Sequence, residues 1–279
     1  MIDLTVVIVS FNSADSILSC LKSVVTSKHF NVIIVDNCSS DNSQEKLQST
    51  FPSTTVVQLS KNEGYGRAAN AGFSKAASRF CLLLNPDINV SEKDIIEFYR
   101  LATSKNNEKN AIFAPAITEK QKNLRGINSV NFVLGAAMLI DFNKYEKRKI
   151  FDENIFLFYE EKDLCLRTVH ENKQILRLND IYFPHIKGTS SGTSPAISYF
   201  KQWHVGWSSM YFLKKHQLNN GRHSALALYV RYSVKRFLSF SKNKRMKYKA
   251  RLGGVSAFLR GQAAFDKKGN PRMQHILKR

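Results

Sequence analysis

The chain has 279 residues, 43% of them hydrophobic and 11% aromatic, enough to bury a full core and too apolar for an intrinsically disordered chain. Its formal net charge is +20, and an excess of that size usually serves a polyanionic partner or surface. The charge is concentrated: Lys214 to Arg279 holds 18 Lys and Arg against the single acid Asp266, so the first three quarters are almost neutral.

The N-terminus opens directly into a strand-like run, Leu4 to Val9, without a basic n-region or a small-residue cleavage site. No apolar stretch approaches the roughly 20 residues of a membrane span. Cys20, Cys38, Cys81 and Cys165 lie far apart, each in or beside an apolar run and without a CxxC pair. They predict buried free thiols in a reducing compartment, and the expectation is a cytoplasmic protein, peripheral at most to the inner face of the plasma membrane.

In chain order, the patterns predict a strand over Thr5 to Ser10, a helix near Ser13 to Thr26, a strand over Asn31 to Val35 and a helix near Asn42 to Ser49. A strand over Thr55 to Leu59, a helix from Gly66 to Ser78 and the apolar strand Phe80 to Leu84 follow. Continuous apolar strands separated by helices indicate βαβ units and a parallel sheet covered on both faces. Further on come a helix near Asp94 to Ala102, an apolar stretch over Phe132 to Asp141, an acidic helix start at Tyr159 to Val169, and a strand over Gln174 to Phe183 leading to His185. After about Gln202 the chain turns helical, basic and aromatic, which suggests a catalytic domain over 1–205 and a basic helical region over 206–279. The stretches 104–131 and 187–200 are expected to be loops that set donor and acceptor.

Polar residues stand at the carboxyl ends of the strands, where ligands bind in open α/β sheets. Ser10 and Asn12 follow the first strand, Asp36 and Asn37 the second, Asn62 and Gly64 the third, Asn85 and Asp87 the fourth. A side-chain oxygen at Asp36 or Asn37 suits the N3–H of uracil or thymine; the competing reading is an Asx-turn, with Asp41 capping the next helix. Asn62, Gly64, Arg67 and Asn70 open a helix, whose first amides and dipole favour a diphosphate. Asp87 ends a wholly apolar strand, a costly place for a carboxylate unless it meets a cation; a hard oxygen ligand for Mn²⁺ or Mg²⁺ explains it, and a turn residue after Pro86 is the alternative. Glu160, Glu161 and Asp163 crowd three acids into four positions, either as helix caps or with one of them acting as a general base. His185 follows as a ligand for the same metal, a phosphate contact or a structural histidine.

Taken together, these residues resemble the family 2 glycosyltransferases, in particular their rhamnosyltransferase-like branch, over residues 4 to 215. The matching pieces stand in order: VVIVSFN at 6–12, VDNCSSD at 35–41, NEGYGRAANAG at 62–72, LLLNPD at 82–87, FVLGAAMLI at 132–140, FDENIFLFYEEKDLCLR at 151–167 and PHIKGTSSG at 184–192. The resemblance implies a GT-A fold, with a mostly parallel central sheet flanked by helices, and inverting, metal-dependent transfer from a dTDP- or UDP-sugar, rhamnose or a hexose. The implied acceptor is a growing, lipid-linked bacterial surface polysaccharide. Asp87 and His185 would hold the divalent metal, and Glu161 would be the base, with Glu160 and Asp163 in reserve. Three positions depart from the family pattern: Asn37 and Asn85 stand where Asp is frequent, and Glu161 where Asp is usual.

Two other classes compete. Gly64, Gly66 and Ala69 match the dinucleotide fingerprint, with Asp87 about twenty residues on, as in a nicotinamide-dependent oxidoreductase; against it, the first strand ends without glycine. The basic C-terminal quarter would bind nucleic acid non-specifically, yet it carries no zinc spacing, homeodomain pattern or RNP signature. Its interleaved aromatics fit an anionic membrane surface better, and the plainer alternative is a solvated helical cap on the catalytic domain. A sugar nucleotidyltransferase would need a glycine-rich loop after the first strand, which is missing.

Overall fold

The computed structural model describes residues 1–105, 107–186, 194–218 and 224–278. They fall into two compact units. One holds Met1–Asn62, Arg67–Phe151 and the described part of Glu161–Ser191; the other holds Glu63–Gly66, Asp152–Glu160 and the described part of Gly192–Arg279.

The first unit is built on an eight-stranded sheet, and only the starts of α4 (Tyr65, Gly66) and α7 (Glu160) belong to the second unit. The chain begins with β1 (Leu4–Ser10), α1 (Ala14–Cys20), α2 (Lys22–Val25), β2 (Asn31–Asp36), α3 (Ser43–Thr50), β3 (Thr55–Gln58), α4 (Tyr65–Lys75) and β4 (Phe80–Leu84). It continues with α5 (Glu92–Ser104), β5 (Asn110–Ala116), α6 (Glu119–Lys122), β6 (Ile127–Val130), β7 (Ala137–Asp141), α7 (Glu160–His170) and β8 (Gln174–Tyr182). The strand order is β3-β2-β1-β4-β7-β5-β8-β6. β1, β2, β3 and β4 pair in parallel, as do β5 and β8, while β7 and β6 run antiparallel to their neighbours. β1 and β4 are buried along their whole lengths, which is why both read as unbroken apolar runs.

Three expectations change. The helix anticipated over Ser13 to Thr26 is two helices, parted at Leu21, whose backbone leaves the helical region at φ −127° while its side chain stays fully buried. The helix anticipated from Asp94 starts two residues earlier, because Ser91 and Asp94 form a reciprocal capping box. The stretch 104–131 is largely regular, holding β5, α6 and β6. Of the second stretch, residues 187–193 lie outside the described residues, as does KGTSSG of the seventh matching piece.

The second unit is helical: α8 (Pro195–Lys215), α9 (Ala225–Phe237) and α10 (Lys242–Leu259), ending in a 3₁₀ turn over Gln274–Lys278. Ser194 caps α8 just before Pro195, and Ser224 caps α9. α8 runs unbroken through positions 205 and 206, burying Trp203, Trp207, Met210 and Leu213 at helical spacing. α8 and α10 meet backbone to backbone: a Cβ on Gly206 would lie 2.1 Å from the Arg251 carbonyl oxygen, and one on Gly254 2.1 Å from that of Trp203.

Candidate active site

The parallel register sets Ser10 beside Asp36 at the ends of β1 and β2, and both are fully buried. Asp36 accepts from the Ser39 backbone N–H at 3.0 Å and from the Ser39 hydroxyl. Asn12, in the left-handed region at φ 52°, donates its own N–H to Ser39 Oγ at 2.9 Å and accepts from the Ser40 N–H at 2.8 Å. The SSD turn thus ties the ends of β1 and β2 together, and Asp36 is an Asx-type anchor of that turn. Asp41 serves similarly, accepting from the Ser43 N–H at 3.0 Å ahead of α3. Asn37 reaches outward from this anchor and donates to Asn62 Oδ1 at 3.1 Å, joining the ends of β2 and β3.

The end of β4 is pinned differently. Asn85 N–H donates to the Ala136 carbonyl at 2.8 Å. Beyond it, Asn89 N–H donates to Pro184 and Ile186 N–H to Asp87, and Ile88 and His185 form an antiparallel bridge. This short backbone pairing sets the two side chains face to face: His185 Nε2 lies 3.1 Å from Asp87 Oδ1. The Asp87 side chain is 3% exposed and that of His185 18%.

At the entry of α4 the outcome is mixed. Gly64 needs its positive φ of 82°, and a Cβ there would sit 2.1 Å from the Phe156 carbonyl oxygen. The same oxygen accepts the Tyr65 N–H at 3.1 Å. The first amide of the helix is therefore engaged within the helical unit. Asn70 is engaged as well, since its Oδ1 accepts from the Phe151 N–H at 3.0 Å and its Nδ2 donates to the Phe151 carbonyl at 2.9 Å. Both amide atoms thus hold the backbone of Phe151, so Asn70 positions the chain ahead of the acidic segment. Arg67 is half-buried on the same helix.

The three acids of α7 separate clearly. Asp163 is fully buried and bound by Arg167 Nε at 2.9 Å, one helical turn on; Arg167 Nη2 also donates to the Ile150 carbonyl at 2.7 Å. Asp163 is thus committed to an ion pair along its own helix. Glu160 is buried and belongs to the helical unit, Glu161 to the sheet unit. Burial pushes the Glu161 carboxyl above the usual carboxylate range, with its own backbone amide and Lys162 opposing. Just before these glutamates, Phe158 and Tyr159 both take positive φ, 65° and 76°. Neither is glycine, so each costs about 1–3 kcal/mol. Within the helical unit, Ser208 Oγ donating to the Leu157 carbonyl at 3.0 Å and the Tyr159 ring against Phe212 hold this strained entry.

The cysteines are unpaired with one another; Cys81 and Cys165 are buried as expected, while Cys20 and Cys38 are only partly so. Burial pushes the Cys165 thiol up to about 12, so it is no nucleophile. Among the described residues, no helix is long and apolar enough to cross a membrane.

The sequence profile of glycosyl transferase family 2 matches residues 5–166, more than half of the chain. This chain belongs to that family. Its polar strand ends and its α7 acids all fall within or just beyond the matched span. A low-salt glycan biosynthesis hexosyltransferase, Agl10 of Haloferax volcanii, is 25% identical over 62% of this chain and 64% of its own length. The succinoglycan biosynthesis protein ExoO of Rhizobium meliloti is 34% identical over 32% of this chain and 26% of its own. The chain thus spans less than two thirds of the length of the curated relatives it matches. A mannosyltransferase from Pyrobaculum calidifontis, solved with GDP-Man and Mn²⁺, superposes at a TM-score of 0.57 with 11% identity, covering 92% of this chain and 86% of its own. That likeness establishes the GT-A fold. The dinucleotide reading of Gly64, Gly66 and Ala69 falls with this membership; Gly64 directly precedes α4 and the other two lie in it, after the third strand rather than the first.

Among the described residues, no three His, Cys, Asp or Glu gather as a self-sufficient metal cage. The donor set at Asp87 and His185 nonetheless suits a divalent ion of the Mg²⁺ or Mn²⁺ type, which takes one or two protein ligands and fills its remaining positions with substrate phosphate oxygens and water. A buried carboxylate and an imidazole nitrogen in contact would be the two protein ligands of such an ion.

Proposed function

We propose that this chain transfers a sugar from a nucleotide-diphosphate donor to a saccharide acceptor during polysaccharide assembly, with inversion at the anomeric carbon. The observation that carries the reading is the Asp87–His185 pair: a nearly buried carboxylate at the end of a central strand, in contact with an imidazole from a distant segment. Asp87 and His185 would hold the divalent ion, whose charge offsets that of the departing diphosphate. Asn37 and Asn62, joined side chain to side chain, offer amide groups to the base and ribose on a platform that Asp36 and Ser10 hold rigid. Glu161 is the base: as the acceptor oxygen bonds to the anomeric carbon and the bond to the diphosphate breaks, the hydroxyl proton passes to its carboxylate. The raised pKa of Glu161 strengthens it as a proton acceptor at the cost of holding it ionised only at higher pH.

The names of Agl10, a hexosyltransferase of glycan biosynthesis, and ExoO, a succinoglycan biosynthesis protein, support a hexose-type donor and an acceptor within a growing glycan. The basic region from Lys214 onward favours a lipid-linked acceptor met at the cytoplasmic face of an anionic membrane. The deciding test is calorimetric titration of UDP and dTDP with and without Mn²⁺, on the wild type and on Asp87→Ala. Metal-dependent binding, abolished by the substitution, is the expected result, and the tighter nucleotide identifies the donor class. If neither nucleotide binds, the transferase reading fails.

A further inference from the structure

The helical unit exposes apolar side chains in an ordered array. On α9, Leu226 is 72% exposed and Phe237 88%, with Tyr229, Val230 and Val234 also exposed. At 100° per residue these five side chains occupy one stripe, about 140° wide, on the helix. Leu238 and the fully exposed Phe240 extend it past the helix end. The opposite face of α9 is engaged: Ala225, Leu228 and Tyr232 pack with Met210, Tyr248, Leu252 and Val255. The orientation of the helix within its unit is therefore fixed with the apolar stripe outward. Arg236 borders that stripe on one side and Arg231 on the other. The start of α10, Lys242, Lys244 and Arg245, adds further exposed cations and no acid.

We infer that the outward face of α9, with Leu238 and Phe240, is an interfacial anchor that inserts among the headgroups and upper acyl chains of an anionic bilayer. The inference rests on the membrane reading of the basic region and goes further, naming the surface that enters the lipid. An apolar stripe flanked by cations on a helix lying in the interface plane is the arrangement such a surface requires. Charge complementarity selects this occupant over a second copy of the chain, because a symmetric pairing through α9 would bring two strongly cationic regions together. It also selects lipid over nucleic acid, whose phosphates would leave Leu226, Val230 and Val234 without a partner.

Flotation of the whole protein with vesicles tests it, comparing phosphatidylglycerol-rich with pure phosphatidylcholine vesicles in the absence of sugar nucleotide. The expected result is binding to the anionic vesicles alone, with the partition coefficient lowered about tenfold by each of Phe237→Ser and Phe240→Ser, and lowered steeply by added salt. Both rings are solvent-exposed, so the variants keep the fold, which unchanged circular dichroism and thermal midpoints check. Anionic binding that ignores both serine substitutions and responds to Arg231→Glu and Arg236→Glu alone would overturn the anchor while leaving the peripheral reading intact. No binding to either vesicle removes both. A wild-type dimer that the serine variants convert to monomer would overturn the anchor in favour of self-association, and retention by duplex DNA equal to that by vesicles would overturn it in favour of nucleic acid. Nucleotide binding, measured separately, keeps failure of the transferase reading distinct from all four outcomes.

Discussion

The two compact units invert the usual rule of burial in opposite ways. The sheet unit buries polar groups: Ser10, Asp36 and Asp163 are fully enclosed, and Asp87 nearly so. The helical unit does the reverse, leaving Leu226, Phe237 and Phe240 in water. Lone exposed apolar residues need no explanation, but buried carboxylates and aligned apolar stripes do. In the sheet unit each buried acid has identifiable partners, a turn, an imidazole or a guanidinium. In the helical unit the apolar stripe has none within the described residues. One region holds its chemistry inside the fold and the other turns an apolar face outward, so they are open to different perturbations.

The largest separation of the two regions should come from Glu161→Gln. Loss of the proton acceptor should lower the transfer rate about 10³-fold while leaving vesicle flotation unchanged, and the acid limb of the rate–pH profile should vanish with it. In the wild type that limb should lie above the ordinary Glu value of about 4.3, because the base works only when ionised and burial raises its pKa. A wild-type limb at or below that value would remove Glu161 from the role.

Next in size, Arg167→Ala should strip Asp163 of its cation and cost the sheet unit about 3 kcal/mol in urea unfolding. Gly254→Val should drive a side chain into the backbone of α8 and cost the helical unit about 3 kcal/mol. Both tryptophans, Trp203 and Trp207, lie in α8, so their emission should report the second loss directly.

The smallest effect is also the most discriminating, because the two regions should answer pH with opposite signs. His204 is enclosed by Phe156, Phe200 and Trp203, and its Nε2–H donates to the Arg272 carbonyl at 3.2 Å. Burial pushes its imidazole down to about 3. The unfolded chain, with an ordinary His near 6.5, takes up the proton first. Stability of the helical unit is therefore complete above about pH 6.5 and declines as pH falls toward 3, by about 2 kcal/mol at pH 5. His204→Phe should flatten that decline in tryptophan-monitored melts. Glu161, raised by burial, acts the other way: its native state is favoured as pH falls, so Glu161→Gln should melt higher than wild type at pH 7 and no higher near pH 4.

These contrasts also show what the sequence discloses. β1, β2 and β4 are legible because strands buried on both faces must be apolar throughout. β5 is not, since Pro115 interrupts its pattern and a register shift follows between Pro115 and Ala116. The polar strand ends stand out by position, yet sequence alone does not distinguish a ligand-facing side chain from one holding the fold. Asn70 lies in a matching motif and spends both amide atoms on Phe151. Glu160, Glu161 and Asp163 look equivalent until Arg167 engages one of them, a partner four residues away that helical spacing would have supplied. The left-handed backbone at Phe158 and Tyr159 leaves no trace in sequence, because aromatic residues are poor candidates for it.

The contact between Asp87 and His185 bridges 98 positions of chain. Closing a loop of that length costs about 4 kcal/mol of chain entropy, which the hydrogen bond between the two side chains falls well short of repaying. During synthesis β1 to β4 can pair while His185 has yet to emerge, so an early sheet carries its carboxylate without the imidazole. A contact between positions so far apart in sequence is non-local, and such contacts slow folding. A nascent or truncated chain lacking residue 185 would therefore present the polar ends of β1 to β4 without the imidazole that faces Asp87.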